Sequence, residues 1–188
     1  VSIVLFLMVN CYPQADLMID FLMFDNATPP YNGSMELIFG LDSTATDDID
    51  EHLGEIPVPP DARCGWAHLF CAMFDLPVNP NPTLIDYRFG ELPYTGVKEH
   101  IIIYCSDTSS TVLTIRCSLP PGVTAILRDY ITGNFIYIEM SDSNEYHIYD
   151  PYIGFPNGLR LTVTYNNVVP VELKSFNGSF LDSSVQLN

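Results

Sequence analysis

The stretch Gly40 to Glu55, GLDSTATDDIDEHLGE, holds six carboxylates in sixteen residues and no Lys or Arg. Calcium takes six to eight oxygen ligands, and Asp42, Asp47, Asp48, Asp50 and Glu55 together offer several from one loop. The spacing is not that of an EF-hand. Counted from Asp42, the third and fifth loop positions are Thr44 and Thr46, and the twelfth is Leu53. Counted from Asp48, Asp50 falls third, but His52 is fifth, Leu53 stands where glycine is required, and Pro59 is twelfth. Any calcium affinity is therefore expected at the weak extracellular end, ~10⁻⁴ to 10⁻³ M. The leading expectation is a structural connection in which Asp and Thr side chains cap backbone N–H groups. Ile49 and Leu53 lie four apart and can anchor a short helical turn.

A second cluster is CGWAHLFC. On a helix, Cys64, His68 and Cys71 share a face and make a three-ligand zinc set. Leu69, Phe70, Met73 and Phe74 read equally well as a buried strand, in which His68 and Cys71 point to opposite faces. Enzyme signatures are missing: there is no Gly-x-Ser-x-Gly elbow, no His-Glu-x-x-His and no glycine-rich phosphate loop. A glycosidase carboxylate pair is defined by separation in space, which spacing along the chain does not supply. His52, His100 and His147 are scattered, so surface or satisfied strand positions are expected for them. No catalytic residue is assigned, and the chain is not expected to be an enzyme.

Carbohydrate binding is the other chemistry within reach. Exposed aromatic rings stack on sugars, and Tyr146, Tyr149, Tyr152 and Phe155, with Tyr137 nearby, cluster around the last strands. Strands favour aromatics in any case, and half of these are expected to face the core.

The elements that must position these residues are strands. LMIDFLMF, SMELIFG, KEHIIIYC, TVLTIRCS, TAILRDY, NFIYIEM, EYHIYD and LRLTVTY are short and rich in β-branched and aromatic residues. Gly, Pro, Asn, Asp or Ser bound each run. In LRLTVTY, Leu159, Leu161, Val163 and Tyr165 fall on one face, with Arg160, Thr162 and Thr164 on the other. SMELIFG is expected to stop at Gly40. No helical period runs for ten residues, and fifteen prolines oppose long helices. The pattern predicts an all-β, antiparallel sandwich of immunoglobulin/fibronectin-like or jelly-roll-like type. It spans 16–167, with no helix longer than about three turns. After residue 168, VELKSFNG and SVQLN open an incomplete second unit.

Net charge is −16, from 23 acids against seven bases. That field repels a phosphate backbone, so nucleic-acid binding is disfavoured. The run Ile3 to Val9 is apolar and too short to span a bilayer, which needs about 20 residues. It fits the core of a secretory signal ending at Ala15, so 1–15 are expected to be removed on export, leaving no membrane span in the mature chain. Four cysteines then remain, enough for two disulfides. Spacing disfavours local pairs. Cys64 and Cys71 lie about 10 Å apart on a helix and further on a strand. A tight hairpin through SDTSS would pair Cys105 with residues near 110 rather than with Cys117. Buried free thiols are the favoured expectation.

Three stretches carry a resemblance. FGLDSTATDDIDEHLGEIPVPP and LTIRCSLPPGVTAILRDYITGNFIYIEMSDSNEYHIYD resemble a module of large secreted proteins from Bacteroidota-related bacteria of the Chlorobi and Ignavibacteria type. Asp48 stands where that module usually has glycine. VVPVELKSFNGSFLDSSVQLN is similar to the junction that opens a fibronectin type III-like domain in such proteins. The resemblance covers most of 17–188 and implies export through the type IX secretion system to the cell surface or medium. It implies a non-catalytic structural or adhesive role. Its partners would be neighbouring domains of a longer chain and extracellular polysaccharide or a surface protein. The alternative is a carbohydrate-binding module attached to an extracellular enzyme.

Overall fold

Residues 15–30, 32–59, 70–141, 143–149, 158–169, 178–181 and 184–187 are described by a computed structural model. Most of the proposed leader, Cys64, His68, Tyr152, Phe155 and residues 171–177 lie outside them.

Two five-stranded sheets face each other. With strands numbered along the chain, the first runs β4 (Ile85–Phe89), β2 (Ser34–Asp42), β1 (Leu17–Asp25), β6 (Val112–Cys117), β9 (Glu145–Tyr149). The second runs β3 (Cys71–Asp75), β5 (Tyr94–Cys105), β10 (Leu159–Val168), β7 (Val123–Asp129), β8 (Tyr137–Met140). Among the described residues the only helical piece is the turn Glu51–Leu53. The all-β sandwich expected from alternation is therefore the fold. The alternation in LRLTVTY holds residue by residue: Leu159, Leu161, Val163 and Tyr165 are fully buried in β10. They meet Phe21, Phe39, Leu113 and Ile115 of the facing sheet in one apolar core.

Four local expectations are corrected. β2 does not stop at Gly40 but runs to Asp42. Glycine is needed there because the β1 backbone crosses so close that a Cβ would stand 1.9 Å from the Leu17 carbonyl oxygen. SDTSS is not a hairpin turn. β5 and β6 belong to different sheets, and Cys105 stands opposite Cys71 of β3. The crossing is held by Asn26, whose Oδ1 accepts the N–H groups of Thr111 and Val112, both at 2.9 Å. Cys71 is not a free thiol: it is disulfide-bonded, while Cys105 and Cys117 are free. A bridge is decided by proximity in space, which spacing along the chain does not fix. Finally, β2 and β4 pair in parallel, unlike every other strand pair among the described residues. The connection between them is long and includes β3 on the opposite sheet, which leaves room for such a crossover.

β4 was not foreseen as a strand, because IDYRF puts Asp86 and Arg88 where an apolar face belongs. Further on, β11 (Gly178–Leu181) and β12 (Ser184–Leu187) pair only with each other among the described residues.

Gly40→Ala should destabilise the sandwich by about 2–3 kcal/mol or more, because backbone rather than a flexible side chain would have to yield. Urea unfolding followed by tyrosine fluorescence measures this, with the slope expected to stay unchanged.

Candidate functional site

The acidic stretch folds back over the outer face of the first sheet. Ala45 and Leu53 are buried against Ala15 and Tyr87, with Ile38 and Ile85 at the margin. Apolar residues spaced through an acidic segment thus roof a second, smaller core.

Each candidate calcium ligand is engaged by a donor from this chain. Asp42 Oδ1 accepts the Thr44 N–H at 2.7 Å and its hydroxyl at 2.6 Å. Asp50 Oδ2 accepts the Thr46 N–H at 2.6 Å. Asp48 Oδ1 accepts the Ile49 N–H at 2.7 Å and the Asn79 amide at 2.6 Å. The Asn79 bond, followed by the Ile49 N–H, holds the Asp48 carboxyl below its ordinary value. Asp47 Oδ1 takes Arg88 at 2.9 Å. These are turn and capping bonds, each drawing its carboxylate toward a different donor. No group of three or more His, Cys, Asp or Glu converges on a metal position among the described residues.

Glu55 is fully buried. Its Oε2 accepts the Asp50 N–H at 2.9 Å and its Oε1 the Tyr87 N–H at 2.7 Å. β4 ends its sheet, so Glu55 satisfies an edge N–H that would otherwise wait for another strand. Burial pushes this carboxyl up to about 7, and the charges of Asp86 and Asp50 add to that against the pull of its two N–H partners.

On the inner face of β4, Asp86 and Arg88 enter the sandwich beside Phe39 and Leu41. Asp86 Oδ2 accepts from Arg88 at 2.9 Å and lies 2.7 Å from Nδ1 of His100, which comes from β5 in the opposite sheet. His100 is fully buried, with Phe39 and Phe74 ring centroids at 5.2 and 5.7 Å. Its Nε2, Arg88 Nε and the Tyr165 hydroxyl are buried without hydrogen-bond partners. The Asp–His bond has the form of the orienting half of a catalytic dyad. Here the imidazole is packed between the Phe39 and Phe74 rings, and its bond to Asp86 ties the two sheets together. A surface or satisfied strand position is the sequence expectation for His100, and the structure places it on β5, fully buried. The available signal was Asp86 and Arg88 at i and i+2, which share one face of any strand.

Of the aromatic candidates, Tyr146 and Tyr149 are among the described residues, and they do not share a face. Tyr146 packs against the main core from β9, and its hydroxyl donates to the Ser143 carbonyl. Tyr149 is 73% exposed on the opposite face, beside His147 at 6.3 Å between ring centroids. Positions three apart on a strand must diverge in this way. Tyr137 belongs to β8 of the other sheet. Cys71, the one zinc candidate among the described residues, lies on a strand and is disulfide-bonded, so it has no thiolate to offer.

Asp129 organises the turn that follows β7. It closes the β7–β8 turn by accepting the N–H groups of Thr132, Gly133, Phe135 and Ile136 at 2.7–3.2 Å. Burial raises its carboxyl, but these four donors outweigh burial and hold it well below the usual carboxylate range.

No known protein family, curated protein or solved structure matches the chain.

Two outcomes follow from these geometries. Asp86→Ala leaves Arg88 buried without its interior partner and should cost about 3–5 kcal/mol in denaturant unfolding. The pH profile should have two opposed limbs. Glu55 ionises at about 7 in the fold against an ordinary 4.5, so the native state holds the extra proton between those values. Its stabilisation is complete below 4.5 and is lost as pH rises through about 7, so melting midpoints should fall across that window. Glu55→Gln should flatten this limb. The depressed Asp129 acts oppositely: its stabilisation is present above its ordinary 3.8 and is lost as pH falls below it, and Asp129→Asn should flatten that limb.

Proposed function

We propose that this chain is a non-catalytic structural or adhesive β-sandwich module of an exported, multidomain cell-surface protein. The observation that carries this reading is the acidic roof. The segment with the most catalytic-looking composition uses its carboxylates to bind its own backbone and to cover Leu53 and Tyr87. Its buried carboxylates Asp42, Asp50 and Glu55 do work of folding, in a chain of net charge −16.

Export is supported by the disulfide at Cys71, since such bonds persist in oxidising compartments. It is also supported by the resemblance to modules carried by the type IX system. No helix among the described residues is long and apolar enough to cross a membrane. Partners in this reading are the neighbouring domains of a longer chain, and polysaccharide or protein at the cell surface. The β11–β12 hairpin, paired to neither large sheet among the described residues, supports reading it as the opening of a further unit.

Calorimetric titration with calcium tests the role of the roof. Binding is expected to be no tighter than ~10⁻⁴ M. Asp50→Ala should lower stability by about 1–2 kcal/mol through the lost Thr46 cap, with Asp47→Ala milder because Asp47 is largely exposed. Micromolar calcium binding abolished by either change would replace the roof with a true metal site.

A further inference from the structure

The outer face of the second sheet carries a polar pocket of about 180 Å³ beside the β7–β8 turn. It is lined by Arg128, Arg160, Glu99, Thr162, Tyr130 and the turn 131–133. Arg160 of β10 and Arg128 of β7 are direct cross-strand partners. Like charges directly opposite each other destabilise a sheet. In a chain with seven bases and 23 acids, such a pairing is the opposite of what charge balance favours.

Neither arginine has an ion pair among the described residues, whereas Arg88 and Arg116 both do. Arg160 Nε is buried and has no hydrogen-bond partner. Two acids, Glu99 and Asp129, line the same pocket, but neither forms an ion pair with Arg128 or Arg160 among the described residues. Asp129 is engaged by its turn N–H groups. Each guanidinium lies over a tyrosine ring, Arg128 over Tyr137 at 5.0 Å and Arg160 over Tyr130 at 5.4 Å. That stacking fixes the planar forks and leaves donors free for a planar anion. Two partly exposed rings border the site: Tyr130, 45% exposed, lines the pocket, and Tyr137, 51% exposed, lies against Arg128.

We propose that the Arg128–Arg160 pocket binds a carboxylated sugar, its carboxylate on the arginine pair and its ring against the aromatic rim. A compact ring fits better than an extended peptide. β7 and β10 are both paired on two sides, so no sheet edge is open here for a peptide strand to join. A dense polyanion is repelled by the net charge of −16, which points to an isolated uronic acid unit on an otherwise neutral glycan. This goes beyond the scaffold role, and its failure leaves that role intact, because the scaffold role is tested by calcium binding and unfolding.

The probe is methyl β-glucuronide, with methyl β-glucoside as its neutral counterpart, titrated into the full chain and followed by amide NMR shifts. A millimolar dissociation constant is expected for the single sugar unit, ~10⁻³ M, with the glucoside at least about tenfold weaker. Arg128→Gln and Arg160→Gln should each weaken glucuronide binding at least about tenfold while keeping or raising the melting midpoint, since each relieves the cross-strand repulsion. Arg160→Lys keeps the charge without the fork and should retain only part of the affinity. Equal binding of the glucoside overturns the proposal. So does binding of acetate or a glutamate-containing tetrapeptide as tight as the glucuronide, or glucuronide binding unchanged in both glutamine variants. Absence of shifts at tens of millimolar glucuronide overturns it as well.

Discussion

The hydrogen bond between Asp86 and His100 joins the two sheets, and the placement of β4 depends on it. An edge strand with charged residues on its inner face has little reason to pack against a hydrophobic core. Burying Asp86 and Arg88 is tolerable only because each finds a partner of opposite polarity at hydrogen-bond distance. The same inward charges make β4 a poor template for another chain, a recognised defence of sheet edges. Arg88 carries the network outward, since its second amine meets Asp47 of the acidic segment. One guanidinium thus links the interior of the sandwich to the roof on its outside.

The outer face of β4 imposes the complementary requirement. Alternation that sends Asp86 and Arg88 inward sends Ile85 and Tyr87 outward, and an apolar outer face at an edge has to be covered. The acidic segment covers it with Ala45 and Leu53, and Glu55 fastens the far end of the cover to Tyr87. Six carboxylates in one loop repel one another, and the loop holds because backbone N–H groups, hydroxyls, an amide and an arginine lie against five of them. The large negative charge is thereby partly a folding device and partly a surface property. Asp129 repeats the device on the other sheet, where one carboxylate organises a whole turn from Thr132 to Ile136.

The two outer faces differ in character. On the first sheet Arg116 pairs with Glu145 at 2.6 Å and lies over Phe24, a self-satisfied exposed stripe. On the second, Arg128 and Arg160 stand opposite each other without acids bound to them. This asymmetry separates a surface that is finished from one that remains able to take an anion.

The alternation of apolar and polar residues determined the fold class by itself, because a period of two gives each strand a buried and an exposed face whatever its neighbours. β1, β2, β5, β6, β7, β8, β9 and β10 were legible from their strand composition and alternation. Of Thr46, Asp47 and Asp48, expected in turns and caps, Thr46 and Asp48 make such bonds while Asp47 meets Arg88. β4 was hidden because its inner face is charged, and a charged inner face reads as a loop until its partner on another strand is known. Tertiary structure alone decided which strands are neighbours. SDTSS looked like a hairpin but crosses between sheets, and Cys71 found a disulfide that local spacing gave no reason to expect. The same holds for the sites. The acidic stretch announced itself by composition, yet whether its oxygens would converge or disperse depended on donors such as Asn79, Tyr87 and Arg88, supplied from elsewhere in the chain. Arg128 and Arg160, 32 positions apart in the sequence, became a pair only through the register of β7 and β10. A sequence carries the period that orients a side chain, but register and sheet order, set by the packing of the whole core, determine what that side chain meets.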